Sequence, residues 1–149
     1  MTPSTADTPS RLVVDSNVWI SGLVFGGAPR HVFEGIVHDG ARLVVSAEIL
    51  TEVRRVVAVK FPGFVDDVEA LIGVMQDHLD SVSLGSITID VCRDPDDNRV
   101  LETAVLGEAA AIVSVDKDLL VLGEYQGIAI TTPREWLALR PARRRERAT

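Results

Sequence analysis

The sequence predicts an α/β fold in which a mainly parallel sheet is covered by helices on both faces. Two observations carry this. Short apolar runs of strand length alternate with longer segments whose apolar residues recur at helical spacing. Two of those runs, Leu12-Val13-Val14-Asp15 and Ile112-Val113-Ser114-Val115-Asp116, are almost wholly apolar and end on an aspartate, as strands buried on both faces and emerging at one edge would do.

The elements follow in order. Residues 11–14 read as the first strand, and Ser16 or Asn17 can cap a helix over 18–25. Gly26-Gly27-Ala28-Pro29 breaks that helix, and Pro29 opens a second one that Asp39-Gly40 closes. Arg42-Leu43-Val44-Val45-Ser46 repeats the first strand's pattern. Ser46 then caps a helix with Ile49, Leu50, Val53, Val56 and Val57 on one face. Phe61-Pro62-Gly63 ends it, and residues 66–79 form the next helix on a stripe of Val68, Leu71, Ile72 and Met75. Residues 81–84 and 87–89 alternate around Gly85-Ser86 and are expected to give one or two short strands. Cys92-Arg93-Asp94-Pro95-Asp96-Asp97-Asn98 is a loop leading into a helix with Val100, Leu101, Ala104 and Val105 on its apolar side. Residues 110–116 are a strand, 117–122 a short helix and 127–131 a last strand. Thr132-Pro133 caps a final helix through Trp136 and Leu139. No internal repeat is present.

At 149 residues with 46% hydrophobic content, the chain suits one domain with a sizeable core. Residues 1–10 are Thr/Pro/Ser-rich, lack the apolar centre of a signal peptide and are expected to be a disordered leader. The domain proper is expected over 11–139, with a basic tail over 140–149. No apolar run is long enough to span a bilayer. The single cysteine, Cys92, excludes an internal disulfide and favours a reducing cytoplasm. The formal net charge is -7. Five arginines against one glutamate give residues 140–149 a local +4, so removing them leaves -11 on the rest of the chain. Such a body repels nucleic acid unless a cation intervenes, while the tail offers either salt-sensitive phosphate contacts or a solvated end.

Taken alone, Asp15 is a strand-end or capping acid. In an open parallel sheet, however, ligands bind beyond the carboxyl ends of the strands, and both Asp15 and Asp116 would stand there. Asp94-Pro95-Asp96-Asp97 fits a capped helix start, with Asp94 as the cap and the other two acids favoured by the dipole. Three acids in four positions nonetheless exceed what a cap requires, and the excess repels itself without a cation. Glu52 lies at the border of its helix's apolar stripe, where the residues alone favour an outward side chain; Glu48 lies further out. Acids gathered from separate segments could hold one or two hard divalent cations, which would activate water and stabilise charge on phosphorus. His31, His38 and His78 have no metal-ligand spacing with the cysteine. There is neither a nucleophile elbow nor a phosphate-binding glycine loop. Trp19 and Trp136 read as core residues.

In this order the motifs resemble the PIN-domain family, more closely its small prokaryotic branch of toxin components of toxin–antitoxin systems. The matching stretches are 12–18, Leu43-Val44-Val45-Ser46 through Glu52, 92–98, and 112–120, with 127–133 also fitting. The resemblance implies a three-layer α/β/α sandwich and a ribonuclease dependent on Mg2+ or Mn2+. It implies an acidic site of Asp15, Glu52, Asp97 and Asp116, which are its metal ligands or, for Glu52, a residue orienting metal-bound water. Asp118 matches a frequent fifth acid, and Asn17 and Ser114 match polar supporting positions. Glu52 is therefore expected to turn inward. The resemblance further implies an RNA substrate, a small antitoxin partner that occludes the site, and a homodimer. Residues 18–25 and 30–37 are candidate contact helices, although core packing is the better explanation for most of their apolar residues. Val115 departs from the pattern, since this branch commonly has glycine there, and its side chain could crowd Asp116. That departure and the acidic body support the alternative of a catalytically weak module that binds antitoxin or RNA. A third reading is a DNA-cleaving enzyme using the same acids.

Overall fold

The computed structural model describes residues 10–140. The expected leader and basic tail lie outside the described residues, save Ser10 and Arg140. The chain opens with β1 (Arg11–Val14), α1 (Ser16–Val24), α2 (Gly27–Asp39), β2 (Arg42–Ser46) and α3 (Ala47–Lys60). It continues through α4 (Val65–Met75), β3 (Leu79–Val82), α5 (Pro95–Leu106), β4 (Ala111–Val113) and α6 (Lys117–Leu120). A hairpin of β5 (Glu124–Tyr125) and β6 (Ile128–Thr131) precedes α7 (Pro133–Leu139).

Among the described residues, six strands form one sheet in the order β3-β2-β1-β4-β6-β5, parallel except for β5 at the edge. The apolar runs dictate this. Leu12, Val13, Leu43, Val44, Ile112 and Val113 are fully buried, which a strand achieves only with helices above and below it. Val13 pairs with Val44 and Ile112, and this row faces α5, which crosses β1, β2 and β4. Right-handed crossovers place α1 and α2 on the other face, where α7 packs against α2 and β6. The result is the expected α/β/α sandwich. Trp19 and Phe33 meet in the core with ring centroids 4.8 Å apart. Among the described residues, no helix is long and apolar enough to cross a membrane.

Gly107 sets how closely α5 approaches the sheet. A Cβ there would collide with Val44 Cγ1. Gly107→Ala should therefore destabilise the protein by about 1–3 kcal/mol through overpacking. Gly73, within α4 with nothing inside 4 Å of a Cβ, is the opposite case: Gly73→Ala should stabilise by about 0.5–1 kcal/mol. Urea unfolding of the two variants checks both signs.

Several local expectations are corrected. Helix α1 begins at Ser16 after Asp15, so neither the Ser16 nor the Asn17 side chain is its cap. Helix α2 begins at Gly27 rather than Pro29, because Gly26 and Gly27 take φ of 80° and 66° and make the reversal themselves. The helix expected to reach residue 79 ends at Met75, and a 3-10 turn delivers Leu79 to β3 beside β2. No strand forms at 87–89. The buried Ile89 instead has its N–H bound by Glu102 (2.8 Å) and its carbonyl by Arg99 (3.2 Å), so side chains of α5 replace a ladder. Strand β5 was not anticipated. Its two-residue turn, Gln126-Gly127 with φ of 49° and 82°, has the left-handed geometry that suits a tight hairpin. Arg140, counted with the basic tail, is bound to the body: its guanidinium pairs with Asp39 at 2.9 Å and lies over Trp136.

Candidate metal centre

The chain steps outward from β1 to β2 and β3, then returns to place β4 on the other side of β1. The carboxyl ends of β1 and β4 thus flank the point where the strand order reverses, the usual place for a ligand in an open α/β sheet. Asp15 leaves β1 there and is 3% exposed. Its N–H still bonds to Val113 O at 2.9 Å, which holds it against β4. Ser114, fully buried after β4, donates its hydroxyl to Asp15 Oδ2 at 2.7 Å and accepts the Asp116 N–H at 2.9 Å. One serine thereby fixes the acids of two strands.

Asp97 arrives on the first turn of α5, which packs across β1, β2 and β4. Asp94 caps α5 by accepting the Asp96 N–H at 2.9 Å, with Pro95 in the first turn, so the cap is complete without Asp97. Asn98 is a residue the sequence reading passed over. Its buried amide accepts the N–H groups of Val91 (3.1 Å) and Cys92 (2.8 Å) and donates to Cys92 O (3.1 Å), pinning the incoming loop. Asp97 is 4% exposed, and its Oδ2 has no hydrogen-bond partner. One carboxylate oxygen each of Asp97, Asp116 and Asp118 lie within 4.8 Å of one another.

Glu52 turns inward. It is half-buried and hydrogen-bonds through Oε1 to Ser16 Oγ, which also reaches Asp15 Oδ1 at 3.3 Å. Ser16 is thus a second bridge, again passed over in the sequence because a strand-end serine looks like a cap. Asp118 donates its N–H to Asp116 Oδ1 at 2.8 Å and accepts Arg93 Nη2 at 3.1 Å. The structure therefore brings Asp15, Glu52, Asp97, Asp116, Ser114 and Asp118 to one edge. The Asn17 side chain is exposed beside them, as is Val115.

The electrostatics follow from this crowding. Burial raises the Asp15 carboxyl, opposed by the Ser114 hydrogen bond and reinforced by Asp116. Burial, then Asp116, Asp15 and Asp94, push Asp97 up to about 7. Burial and the neighbouring Asp96 and Asp15 push Glu52 up to about 7, against the Ser16 hydrogen bond. Burial and the surrounding acids raise the Cys92 thiol, which disfavours its thiolate form. An unpartnered buried carboxylate oxygen among acids that resist ionisation is chemically suited to ligate a cation. The all-oxygen donor set fits a hard divalent ion.

A family model described as "PIN domain" matches residues 11–118. No curated protein matches the chain. Among solved structures, the fold is similar to a chain of the crystal structure of VapBC2 from Rickettsia felis bound to a DNA fragment from their promoter. The TM-score is 0.56 at 9% identity, covering 80% of this chain and 96% of that one.

Proposed function

Because the chain belongs to the PIN-domain family, we propose that it is a divalent-metal-dependent endoribonuclease, the toxin of a toxin–antitoxin pair. The observation that carries this is Asp97 Oδ2, buried and unpartnered beside Asp116 and Asp118. Asp97, Asp116 and Asp15 would hold Mg2+ or Mn2+, with Asp118 within reach of the same position. When bound there, such an ion supplies an activated water and neutralises charge on the phosphate.

The chain's own residues do the rest. Ser114 keeps Asp15 and Asp116 at fixed separation, so little reorganisation is needed on binding. Glu52, half-buried and raised to about 7, is placed to accept a proton from an attacking water near neutral pH. Ser16 holds it toward Asp15.

The partner part of the reading rests on a cavity of about 560 Å³ between α1, α2 and α4, walled by Leu23, Phe33, Val37, Leu71, Val74 and Met75. Its apolar walls, with Arg30 and Glu34 among its lining residues, suit an amphipathic helix of an antitoxin. The two helices singled out in the sequence supply most of its lining. The proposal includes a homodimer and a cytoplasmic location, the latter fitting the single free cysteine. The test is incubation of the full chain with mixed cellular RNAs in Mn2+ or in chelator, beside Asp15→Asn. Cleavage confined to the parent in Mn2+ is expected. Equal cleavage in chelator would overturn the metal requirement, and no cleavage by the parent would favour the binding-only module.

A further inference from the structure

Four acids of the edge, Glu52, Asp15, Asp116 and Asp118, are joined in one hydrogen-bonded row. Glu52 meets Ser16, Ser16 meets Asp15, and Asp15 meets Ser114. Ser114 then accepts the Asp116 N–H, and Asp116 accepts the Asp118 N–H. An arginine stands at each end. Arg55 Nη2 lies 3.8 Å from Glu52 Oε2, and Arg93 Nη2 lies 3.1 Å from Asp118 Oδ1. Their side chains are 62% and 88% exposed.

We propose that Arg55 and Arg93 are the RNA-backbone contacts of this edge, two guanidiniums that grip phosphates on either side of the linkage to be cut. The inference rests on the ribonuclease reading above. A row of acids on a body of negative charge repels an RNA strand, so affinity must come from cations placed beside the row. Structural ion pairs are the alternative role for these residues, but exposed pairs of this kind contribute little to stability. The same exposure lets each guanidinium exchange its carboxylate for a phosphate at small cost, and its planar fork matches phosphate oxygens. Asp118 cannot serve Arg93 and a divalent cation equally. Charging the row with a cation therefore also frees Arg93 for the strand, which couples RNA binding to metal binding.

The experiment is fluorescence anisotropy of a labelled single-stranded RNA with the full chain, Arg55→Gln, Arg93→Gln and the double variant. It is run over a salt series with calcium in place of magnesium, and RNA length is checked on a gel. The double variant should bind about tenfold more weakly near 0.1 M salt. Its slope of log K against log salt should fall by about 1.4, the share of two phosphates on a single strand. A doubly lysine-substituted chain, Arg55→Lys with Arg93→Lys, should recover most of both. Mn2+ affinity, read by electron paramagnetic resonance, should be unchanged or tighter in the glutamine variants, which shows the edge intact. A double variant that matches the parent in affinity and slope, while the parent cuts RNA, overturns the grip alone. A parent that neither binds nor cuts RNA overturns the ribonuclease reading, and the grip with it.

Discussion

Asp97→Asn should reduce metal-dependent RNA cleavage by about 100-fold or more, and should make the metal-free protein more stable near pH 8. The first part follows from ligand loss. Removing a group that merely supports a metal ligand typically costs about 10–100-fold, so removing a ligand costs more. The second follows from the side chain's surroundings. Asp97 is buried, its Oδ2 is unpartnered, and burial with Asp116, Asp15 and Asp94 raises it to about 7. Above that pH the fold carries an ionised carboxylate at a cost, and each unit of raised pKa corresponds to about 1.4 kcal/mol. Allowing for relaxation and for partial water access, a gain of about 1–3 kcal/mol is expected. Against it stands the lost dipole interaction of α5, about 0.3–1 kcal/mol, which is the smaller term because Asp94 supplies the cap. Thermal unfolding in chelator, with cleavage assayed in Mn2+, checks both halves. A variant that is less stable in chelator and still cleaves would make Asp97 a structural residue.

The second large effect is the pH dependence of metal-free stability. Asp97 and Glu52 have ordinary values of 3.8 and 4.5 and are raised to about 7 in the fold. Between those limits the native state binds more protons than the unfolded chain, so stability falls as pH rises. As far as these two groups decide it, stability should be highest below about pH 4, decline toward pH 7 and level off above. Divalent cations should reverse the trend. They compete with protons for the same oxygens, so their stabilisation should grow with pH and approach RT ln(1 + [metal]/Kd) above about pH 7. Unfolding curves from pH 5 to 8, with chelator and with excess Mg2+, give the two slopes. A flat chelator series would mean that the edge is not strained by its own charge.

The core of the fold was legible because it rests on simple rules. Runs such as Leu12-Val13-Val14 and Leu43-Val44-Val45 have no polar residue to expose, so they had to be central parallel strands. The Asp94-Pro95 and Thr132-Pro133 starts were legible as caps, and the structure forms both. Of the site, the strand-end positions of Asp15 and Asp116 could be read from the residues. Glu52 could not, because a residue at the border of an amphipathic stripe has no preferred side until its neighbours are known. Only the family resemblance turned it inward, and Ser16 supplies the physical reason. Illegible features depend on contacts distant in sequence. The stretch at 87–89 alternates like a strand, yet its backbone is satisfied by Glu102 and Arg99 of α5. The pairing of Arg93 with Asp118 spans 25 residues and leaves no local signal. The Gln126-Gly127 turn carries only half of the usual hairpin signature.

The most direct test of the metal edge is anomalous scattering from crystals of the full chain soaked in Mn2+. A peak is expected between the ends of β1 and β4, about 2.0–2.3 Å from Asp97 Oδ2 and from a carboxylate oxygen of Asp116, and should be lost in Asp97→Asn. Manganese absent from this edge while bound elsewhere on the chain, or a peak that persists unchanged in Asp97→Asn, would contradict it.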